Sequence, residues 1–451
     1  MIKYSTLQGF GISIFLLFFL PFSGISQGDS WSLEKCISQA EKQSLTIQES
    51  QIGVQQAEIS LERDKLSRYP NLSASTGLNY NLGRFINPVT NEFITTNSLT
   101  NNIGLSSGLT IYNGGRLQNT IAKSELQREI SKTNLEQARR DVALDVASAY
   151  LAILLAIEQE NNAKITLTES EQQLERINKL IRVGSLPEAD KYEAEAQVAR
   201  NEQSLVTAEN SVDQTYLTLK TLLQIPMSQD FKIEQPNIPI PPPESLILQP
   251  YSTIVQRAVA NQPSIKAGEI QLKSSEIDIE LAKAGKLPSV NLSANTGTNY
   301  ANVTQALNGI GYLEQFNNNL SGSIGVFVSI PIYDRGSTKA AVEQAKLSQL
   351  TQQISNRRVR QALETQVQLA FANAKAAAKQ MQAAQRTLDA SQKAFDNTKK
   401  RYELGSSTLL EFNTSRNNLE TAKFNTVIAK YDYIFKLKIL DFYQGKNITL
   451  K

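Results

Sequence analysis

Two similar ten-residue stretches decide the fold, NLSASTGLNY at positions 71–80 and NLSANTGTNY at positions 291–300. Each alternates apolar with small polar residues, which is the period of two that a half-buried β-strand shows. In the first stretch, Leu72, Leu78 and Tyr80 fall on one face, and the other face carries only Asn, Ser and Gly. The pattern predicts a strand that is repeated 220 residues later in the chain.

The repeat extends far beyond these strands. A second alternating strand follows each stretch, near residues 103–111 and 324–332, and a Gly-Ser pair at 184–185 returns at 405–406. Each half therefore has the same predicted order: a helix, a β-hairpin, a very long helix and a shorter helix. The predicted segments are a signal peptide at 1–26, a first half at 27–234, a proline-rich linker at 235–250 and a second half at 251–451. In the first half the hairpin is predicted at 71–112 and the long and shorter helices at 115–183 and 187–223. In the second half the hairpin is predicted at 290–333 and the two helices at 336–404 and 408–443.

The predicted signal peptide has the expected three regions. Lys3 supplies a positive charge ahead of an apolar run at 12–20, and Gly-Ile-Ser at 24–26 offers small residues for cleavage. An N-terminal membrane anchor is the alternative, but the run is shorter than the roughly 18 apolar residues that span a bilayer. We therefore expect an exported mature chain that has lost this segment.

Composition argues against an enzyme. The 451 residues contain no histidine and one cysteine, Cys36, so the commonest general base and metal ligand are missing, and no disulfide or thiolate zinc site can form. The 46 basic and 43 acidic residues leave a net charge of +3, too little for the positive field of a nucleic-acid-binding protein. No catalytic residue, cofactor or metal site is predicted. The apolar fraction, 41 %, is low for a single dry core and favours an extended or water-filled architecture.

The four predicted strands combine an apolar face with an uncharged face of Asn, Ser and Gly. A soluble sheet would bury the apolar face under a helix, whereas a transmembrane barrel would turn it to lipid. Strands of about 10 residues cross a membrane when they are tilted. Because four strands cannot close a barrel and open edges are not tolerated in hydrocarbon, several chains must contribute. Two copies would give eight strands, three twelve and four sixteen, and the strands alone do not choose among them.

A helical pattern of about 100 Å follows each hairpin, at about 1.5 Å per residue. Small and apolar residues recur in it at the 3-4 spacing of a coiled coil. The stripe consists of Val146, Ala149, Ile153, Ala156, Glu160, Ala163, Leu167, Ser170, Leu174, Ile177 and Ile181 in the first half, and of Val367, Ala370, Ala374, Ala377, Met381, Ala384, Leu388, Ser391, Phe395, Thr398 and Tyr402 in the second. A solid helical rod and a ring of helices around water would both show such a stripe.

Taken in order, these motifs resemble the TolC-like outer-membrane efflux protein family over almost the whole mature chain. The resemblance rests on Trp-Ser-Leu at 31–33, on the strand entries Pro70 and Pro288, on Ile-Tyr-Asn-Gly-Gly at 111–115 with Ile-Tyr-Asp-Arg-Gly at 332–336, and on the two Gly-Ser turns. It implies an α+β membrane protein, a homotrimer with a twelve-stranded β-barrel to which each chain gives four strands. The barrel would lie in the outer membrane of a Gram-negative bacterium and continue as a coiled-coil α-helical barrel through the periplasm.

The resemblance also implies a function and partners. The expected function is a passive exit duct for efflux or type I secretion, opened by a periplasmic adaptor, the membrane fusion protein, and by an inner-membrane transporter of the RND, ABC or MFS type. Outer-membrane lipid would surround the barrel, and neither nucleic acid nor a cofactor would take part. The main alternative is a non-channel structural protein, a periplasmic coiled-coil spacer anchored by a small barrel.

Two candidate sites follow from the resemblance. The residues that match the family's helix turns, and so are expected to contact the adaptor, are Val183, Gly184, Ser185, Leu404, Gly405 and Ser406. Glu175 and Asp396, each nine residues before its turn glycine, are candidates for an acidic ring at the tunnel entrance, and Asp389 lies one heptad above Asp396. Basic residues expected to pair with them or with the adaptor are Arg176, Lys179, Arg182, Lys399, Lys400 and Arg401. A solvated carboxylate on the outer face is the plainer interpretation of each acidic position.

Overall fold

The computed structural model describes residues 30–86, 90–95, 97–236, 238, 242, 250–446 and 448–449. The predicted signal peptide lies outside the described residues, and so does most of the predicted linker at 235–250. In chain order the helices are Leu33–Gln43, Leu45–Leu66, Arg116–Arg182, Ala189–Leu223, Tyr251–Asn261, Pro263–Lys283, Asn302–Asn308, Tyr312–Asn318, Ser337–Glu403 and Leu409–Tyr443, with a 3₁₀ turn at Ala284–Lys286. The strands are β1 (Asn71–Asn81), β2 (Arg84–Ile86), β3 (Phe93–Thr95), β4 (Ser98–Asn113), β5 (Ser289–Ala301) and β6 (Ser321–Ser329).

Two helices of 67 residues set the length of the molecule. The first long helix, Arg116–Arg182, follows β4, and the second long helix, Ser337–Glu403, follows β6. Each is followed by a return helix of 35 residues, Ala189–Leu223 or Leu409–Tyr443, which packs back along it. Within the described ranges, no helix is long and apolar enough to cross a membrane.

The coiled-coil stripe faces the packed side of both long helices. Val146 and Ile153 are buried in the first long helix, and Val367 and Ala374 are buried in the second. Stripe positions nearer the turn, such as Leu388, are half-buried. Because many stripe residues are alanines, the neighbouring helices can approach closely.

β1, β4, β5 and β6 form one antiparallel sheet in that order. The register of the strands places the small polar residues on one face of the sheet. One row across this face consists of Ser73, Ser106, Asn295 and Ser323. Phe327 lies on the same face. The opposite face is apolar, and no described element covers it at Leu72 and Ile324, which are 76 % and 81 % exposed. A soluble sheet would bury these side chains under a helix, whereas no helix of the described residues covers them.

The hairpins differ from the prediction at their ends. β6 stops at Ser329, before the predicted hairpin end at 333, because Ser329 pairs with Ser289, the first residue of β5. Residues 330–333 therefore have no strand beside them in the described chain. The loop of the first hairpin contains a small sheet of β2 with β3, which the sequence did not predict.

Both long helices begin with an Asn or Asp side chain that accepts hydrogen bonds from the first turn. Asn113 Oδ1 accepts a bond from the N–H of Leu117 at 3.1 Å. The Asp334 carboxylate accepts bonds from the N–H groups of Gly336 at 2.9 Å and Thr338 at 2.8 Å. Such bonds satisfy amide groups that have no partner within the helix, so the junction between sheet and helix is similar in the two halves.

Tyr150, near the middle of the first long helix, ties three segments together. Its side chain is fully buried, and its hydroxyl donates to the carbonyl oxygens of Trp31 at 3.1 Å and Glu234 at 2.7 Å. Trp31 in turn forms a parallel bridge with Ile233. Burial raises the pKa of Tyr150, so the hydroxyl keeps its proton and donates it to these bonds.

Candidate functional site at the helix tips

Each long helix ends in a turn centred on a glycine. Gly184 and Gly405 have φ angles of 74° and 71°, a left-handed conformation that glycine adopts without strain. The N–H of Ser185 donates to the carbonyl of Leu180 at 2.9 Å, and the N–H of Ser406 makes the corresponding bond at 2.8 Å. This is the Schellman arrangement, which satisfies the last carbonyls of a helix.

The tips carry an apolar residue beside each turn glycine. Val183 is 72 % exposed and Leu404 is 83 % exposed. A Cβ atom added at Gly184 or Gly405 would meet no atom within 4 Å. Both turns therefore offer an open, partly apolar surface at the end of a hairpin.

The two tip serines, Ser185 and Ser406, are not the N-caps of the return helices. The first return helix begins at Ala189, and the second is capped by Thr408, whose hydroxyl oxygen accepts a bond from the N–H of Glu411 at 3.2 Å. The N–H groups of both serines instead close the preceding helix.

Arg401 stabilises the second tip through contacts within its own hairpin. Its Nη2 donates to the carbonyl of Ser406 at 3.2 Å and lies 3.7 Å from the carboxylate of Glu411. The hydroxyl of Ser407 donates to the same carboxylate and holds the pKa of Glu411 below its ordinary value. Arg401 thus stabilises its own hairpin.

Aromatic packing supports the second tip but not the first. The ring centroid of Phe412 lies 4.9 Å from that of Tyr402 and 5.6 Å from that of Phe395. The equivalent positions in the first half are Leu174, Ile181 and Lys191. Aromatic pairs are worth about 0.5–1.5 kcal/mol beyond their buried area, so these contacts stabilise the end of the second hairpin.

The three candidate carboxylates of the acidic ring are each satisfied on their own helix. Glu175 lies 2.7 Å from Lys179 Nζ, and this partner lowers the pKa of Glu175. Asp396 accepts a bond from the side chain of Gln392 at 3.0 Å. Asp389 accepts one from Gln385, also at 3.0 Å. Within one chain, these contacts do not join the two hairpins.

An ion pair that does join the two hairpin ends is Arg176 with Glu403. Arg176 Nη1 lies 3.5 Å from Glu403 Oε1, and the two side chains are about equally exposed, at 44 % and 41 %. Arg182, the other basic candidate of the first tip, donates instead to the carbonyl of Asn178 at 3.3 Å. Arg176 is among the basic residues predicted from the sequence, whereas Glu403 is not among the predicted residues. A signal was present, because Glu403 occupies the position that Arg182 holds in the first half.

Possible metal ligands and the single cysteine are the remaining reactive groups of the described chain. Across the described ranges, no three His, Cys, Asp or Glu side chains are grouped as metal ligands are. Cys36 is buried, and desolvation raises its pKa to about 12. Its thiol is therefore protonated and unreactive at neutral pH.

A protein-family model matches the two halves of the chain separately. The family is described as Outer membrane efflux protein, and the matches cover residues 36–223 and 254–445. The chain belongs to this family. Each match contains one hairpin, one long helix and one return helix, so the family repeat coincides with the duplication in the sequence. As an outer membrane efflux protein, the chain resides in the outer membrane, and its family and fold are those of channel proteins.

Individual relatives are distant in sequence but extend along most of the chain. The probable outer membrane lipoprotein SilC of Salmonella typhimurium is 24 % identical over 335 residues, which is 70 % of this chain and 64 % of SilC. The outer membrane efflux protein BepC of Brucella suis biovar 1 (strain 1330) is 23 % identical over 416 residues, 90 % of this chain and 83 % of BepC.

The fold is also found among solved structures. The crystal structure of the outer membrane protein VceC from Vibrio cholerae is similar with a TM-score of 0.76. The similarity covers 92 % of this chain and 96 % of VceC, at 15 % sequence identity. The two chains therefore share the arrangement of sheet and long helices.

Proposed function

We propose that three copies of this outer membrane efflux protein form a passive exit duct through the outer membrane and the periplasm. The observation that supports this best is the sheet, with an exposed apolar face, an uncharged polar face and two long helices leading from it. In the assembled duct the apolar face would contact lipid and the polar face would contact water. No chemical step takes place in the duct, and the energy for export comes from its partners.

The open edges of the sheet support an oligomer. Within the described chain, β1 and β6 are the edges of the four-stranded sheet. Each unsatisfied backbone group in hydrocarbon costs several kcal/mol, so β6 of one copy would pair with β1 of the next. Three copies give the twelve-stranded barrel that the family resemblance implies. Helices that start from a circle of strands then form a ring around water, not a solid rod.

The partners would dock at the opposite end. In the proposal, Val183, Leu404 and the turn glycines contact a periplasmic adaptor, the membrane fusion protein. The adaptor connects the duct to an inner-membrane transporter of the RND, ABC or MFS type. An apolar residue at each tip, surrounded by charged residues such as Arg182 and Arg401, suits a small protein interface with an apolar centre and a polar rim.

The entrance of the duct would be held closed by contacts between the hairpin ends. The Arg176–Glu403 pair supports this role because it connects the end of the first long helix to the end of the second. Glu175, Asp396 and Asp389 would face the entrance as an acidic ring. Outward movement of the hairpins, driven by the adaptor and the transporter, would open it.

Docking is tested by Gly184→Trp and Gly405→Trp, introduced together. We expect cross-linking to the adaptor to be lost while trimers persist, because a bulky side chain would occupy the tip surface and the left-handed φ would strain each turn by about 1–2 kcal/mol. Gly309→Trp is the matched control, since Gly309 has a φ of 69° and open space around it but lies in the β5–β6 loop, at the other end of the molecule. Undiminished cross-linking of the double variant would refute the assignment of the tips.

A further inference from the structure

The loop between β5 and β6 contains two short helices, Asn302–Asn308 and Tyr312–Asn318. Neither the predicted barrel nor the tips explain why this loop is folded. The strand register shows on which side of the sheet this loop lies. In the register of β4 with β5, Tyr300 pairs with Asn101, and Thr298 pairs with Ile103. Because paired and alternate residues share a face, these four residues lie on the apolar face of the sheet, not on the polar one.

The second loop helix packs directly on that apolar face. The Tyr312 hydroxyl donates to Asn101 Oδ1 at 2.8 Å, and its ring centroid lies 4.7 Å from that of Tyr300. The hydroxyl of Thr298 donates to the carbonyl of Phe316 at 2.6 Å. Gln315, only 2 % exposed, accepts a bond from the N–H of Ala301. The loop therefore folds outward over the apolar side, away from the polar face.

We place the contact near the upper limit of the apolar band, taking Val290, the first apolar residue of β5, as the inner border. From Val290 to Tyr300 the strand rises about 33 Å along its axis, which is about 25 Å of height at a tilt of about 40°. Barrels of the outer membrane have an apolar band about 25 Å tall that is bordered by aromatic residues. With Val290 at the inner border, Tyr300 and Tyr312 fall at the outer border.

The outward side of the loop is apolar at this level. Leu313 is 81 % exposed on the helix face opposite the buried Gln315. Leu320, 65 % exposed, continues the apolar row of β6 that contains Ile324. The segment 302–320 has one charged residue, Glu314, and no Lys or Arg. Attraction to a membrane surface would therefore come from burial of apolar side chains and not from charge.

We infer that the 302–320 segment is a lipid anchor at the outer border of the membrane. Leu313 and Leu320 insert among the acyl chains just below the headgroups of the outer leaflet, and the Tyr300–Tyr312 pair lies at headgroup level, where aromatic rings of membrane proteins collect. The inference rests on the proposed membrane orientation of the sheet. In addition, this loop, which lies on the lipid-facing side of the barrel, would fix the depth of the duct in the membrane.

Tryptophan depth measurements on the whole protein test the anchor. The single tryptophan is first removed by Trp31→Phe, and one new tryptophan is introduced by Leu313→Trp, Leu320→Trp, Ile324→Trp or Tyr192→Trp. Each trimer is reconstituted in phosphatidylcholine vesicles that contain lipid brominated either near the headgroup or near the acyl ends. Ile324→Trp reports the lipid-facing sheet, and Tyr192→Trp, on an exposed position of the first return helix, reports water.

The anchor predicts that Leu313→Trp and Leu320→Trp lose more emission to lipid brominated near the headgroup than near the acyl ends, and that both resist aqueous iodide. Ile324→Trp should be quenched by the deeper bromines, and Tyr192→Trp only by iodide. If iodide alone quenches both loop positions while Ile324→Trp remains lipid-quenched, the anchor is wrong and the duct is unaffected. If Ile324→Trp also responds only to iodide, the sheet does not face lipid and both proposals fail.

Discussion

Tyr150→Ala is expected to lower the free energy of unfolding by about 3–5 kcal/mol, the usual cost of removing a large buried aromatic side chain. Tyr150 is fully buried in the core around the first long helix and holds the carbonyls of Trp31 and Glu234 through its hydroxyl. Its loss leaves a cavity and releases the segments before the first helix and after the first return helix. Denaturant unfolding of the detergent-solubilised protein, followed by circular dichroism, measures the change.

Two further variants separate the ring from the hydroxyl. Tyr150→Phe keeps the ring and removes the hydroxyl donor from the Glu234 carbonyl, whereas the Trp31 carbonyl still accepts the N–H of Glu234. We therefore expect a loss of about 1–3 kcal/mol. Tyr192→Ala removes the same side chain at an exposed position, 61 % exposed, and should change stability by no more than about 0.5 kcal/mol. If Tyr150→Ala and Tyr192→Ala are equally stable, Tyr150 does not tie these segments together.

Arg176→Glu is expected to open the duct. Each exposed ion pair contributes at most about 1 kcal/mol, but a trimer would contain three Arg176–Glu403 pairs, and the substitution replaces attraction by repulsion at each. A loss of about 3 kcal/mol in the closed state corresponds to a roughly 100-fold shift in the opening equilibrium. The open fraction of single channels in a planar bilayer reports this shift.

The controls for this variant use the same charges in other positions. Lys164→Glu reverses a charge about three turns away along the same helix, but Lys164 pairs with Glu160 on its own helix and lies away from the proposed acidic ring, so the open fraction should change little. Combining Arg176→Glu with Glu403→Arg restores the attraction and should restore closure. An open fraction that rises equally in Lys164→Glu would mean that the overall charge of the helix, and not this pair, holds the entrance closed.

Long periodic patterns made much of the fold predictable. Alternation through Leu72, Leu78 and Tyr80 persists long enough to define a strand and both of its faces, and the stripe from Val367 to Tyr402 defines the packed side of a very long helix. The duplication strengthened both predictions, since each pattern occurs twice with the same spacing. Patterns of this kind report local geometry, which sequence neighbours control directly.

The contacts at the tips were less predictable, because tertiary partners leave no periodic signal. Arg176 and Glu403 are 227 positions apart and meet only because the two hairpins end side by side. Glu175 and Asp396 occupy equivalent positions in the two halves, yet each is satisfied by a neighbour on its own helix. Equivalent position in a repeat predicts equivalent backbone, not contact between the side chains.

The two loop helices were not predicted because they, too, depend on tertiary contacts. The segment 302–320 is rich in Asn and interrupted by Gly309 and Gly311, which is typical of an irregular loop. Its helices are seven residues each, too short to be stable alone. Contacts of Tyr312 and Gln315 with the sheet stabilise them, and only the folded chain brings those groups together.

Ionic conductance of the purified oligomer in a planar bilayer, with its subunit number measured by native mass spectrometry, tests the exit duct most directly. We expect three chains per particle, stepwise conductance, and a larger open fraction for Arg176→Glu than for the unaltered protein. Glu175→Ala combined with Asp396→Ala should still conduct, because removal of carboxylates from an entrance does not block it. Trimers that carry no current in any of these forms would contradict the duct and favour a periplasmic coiled-coil spacer.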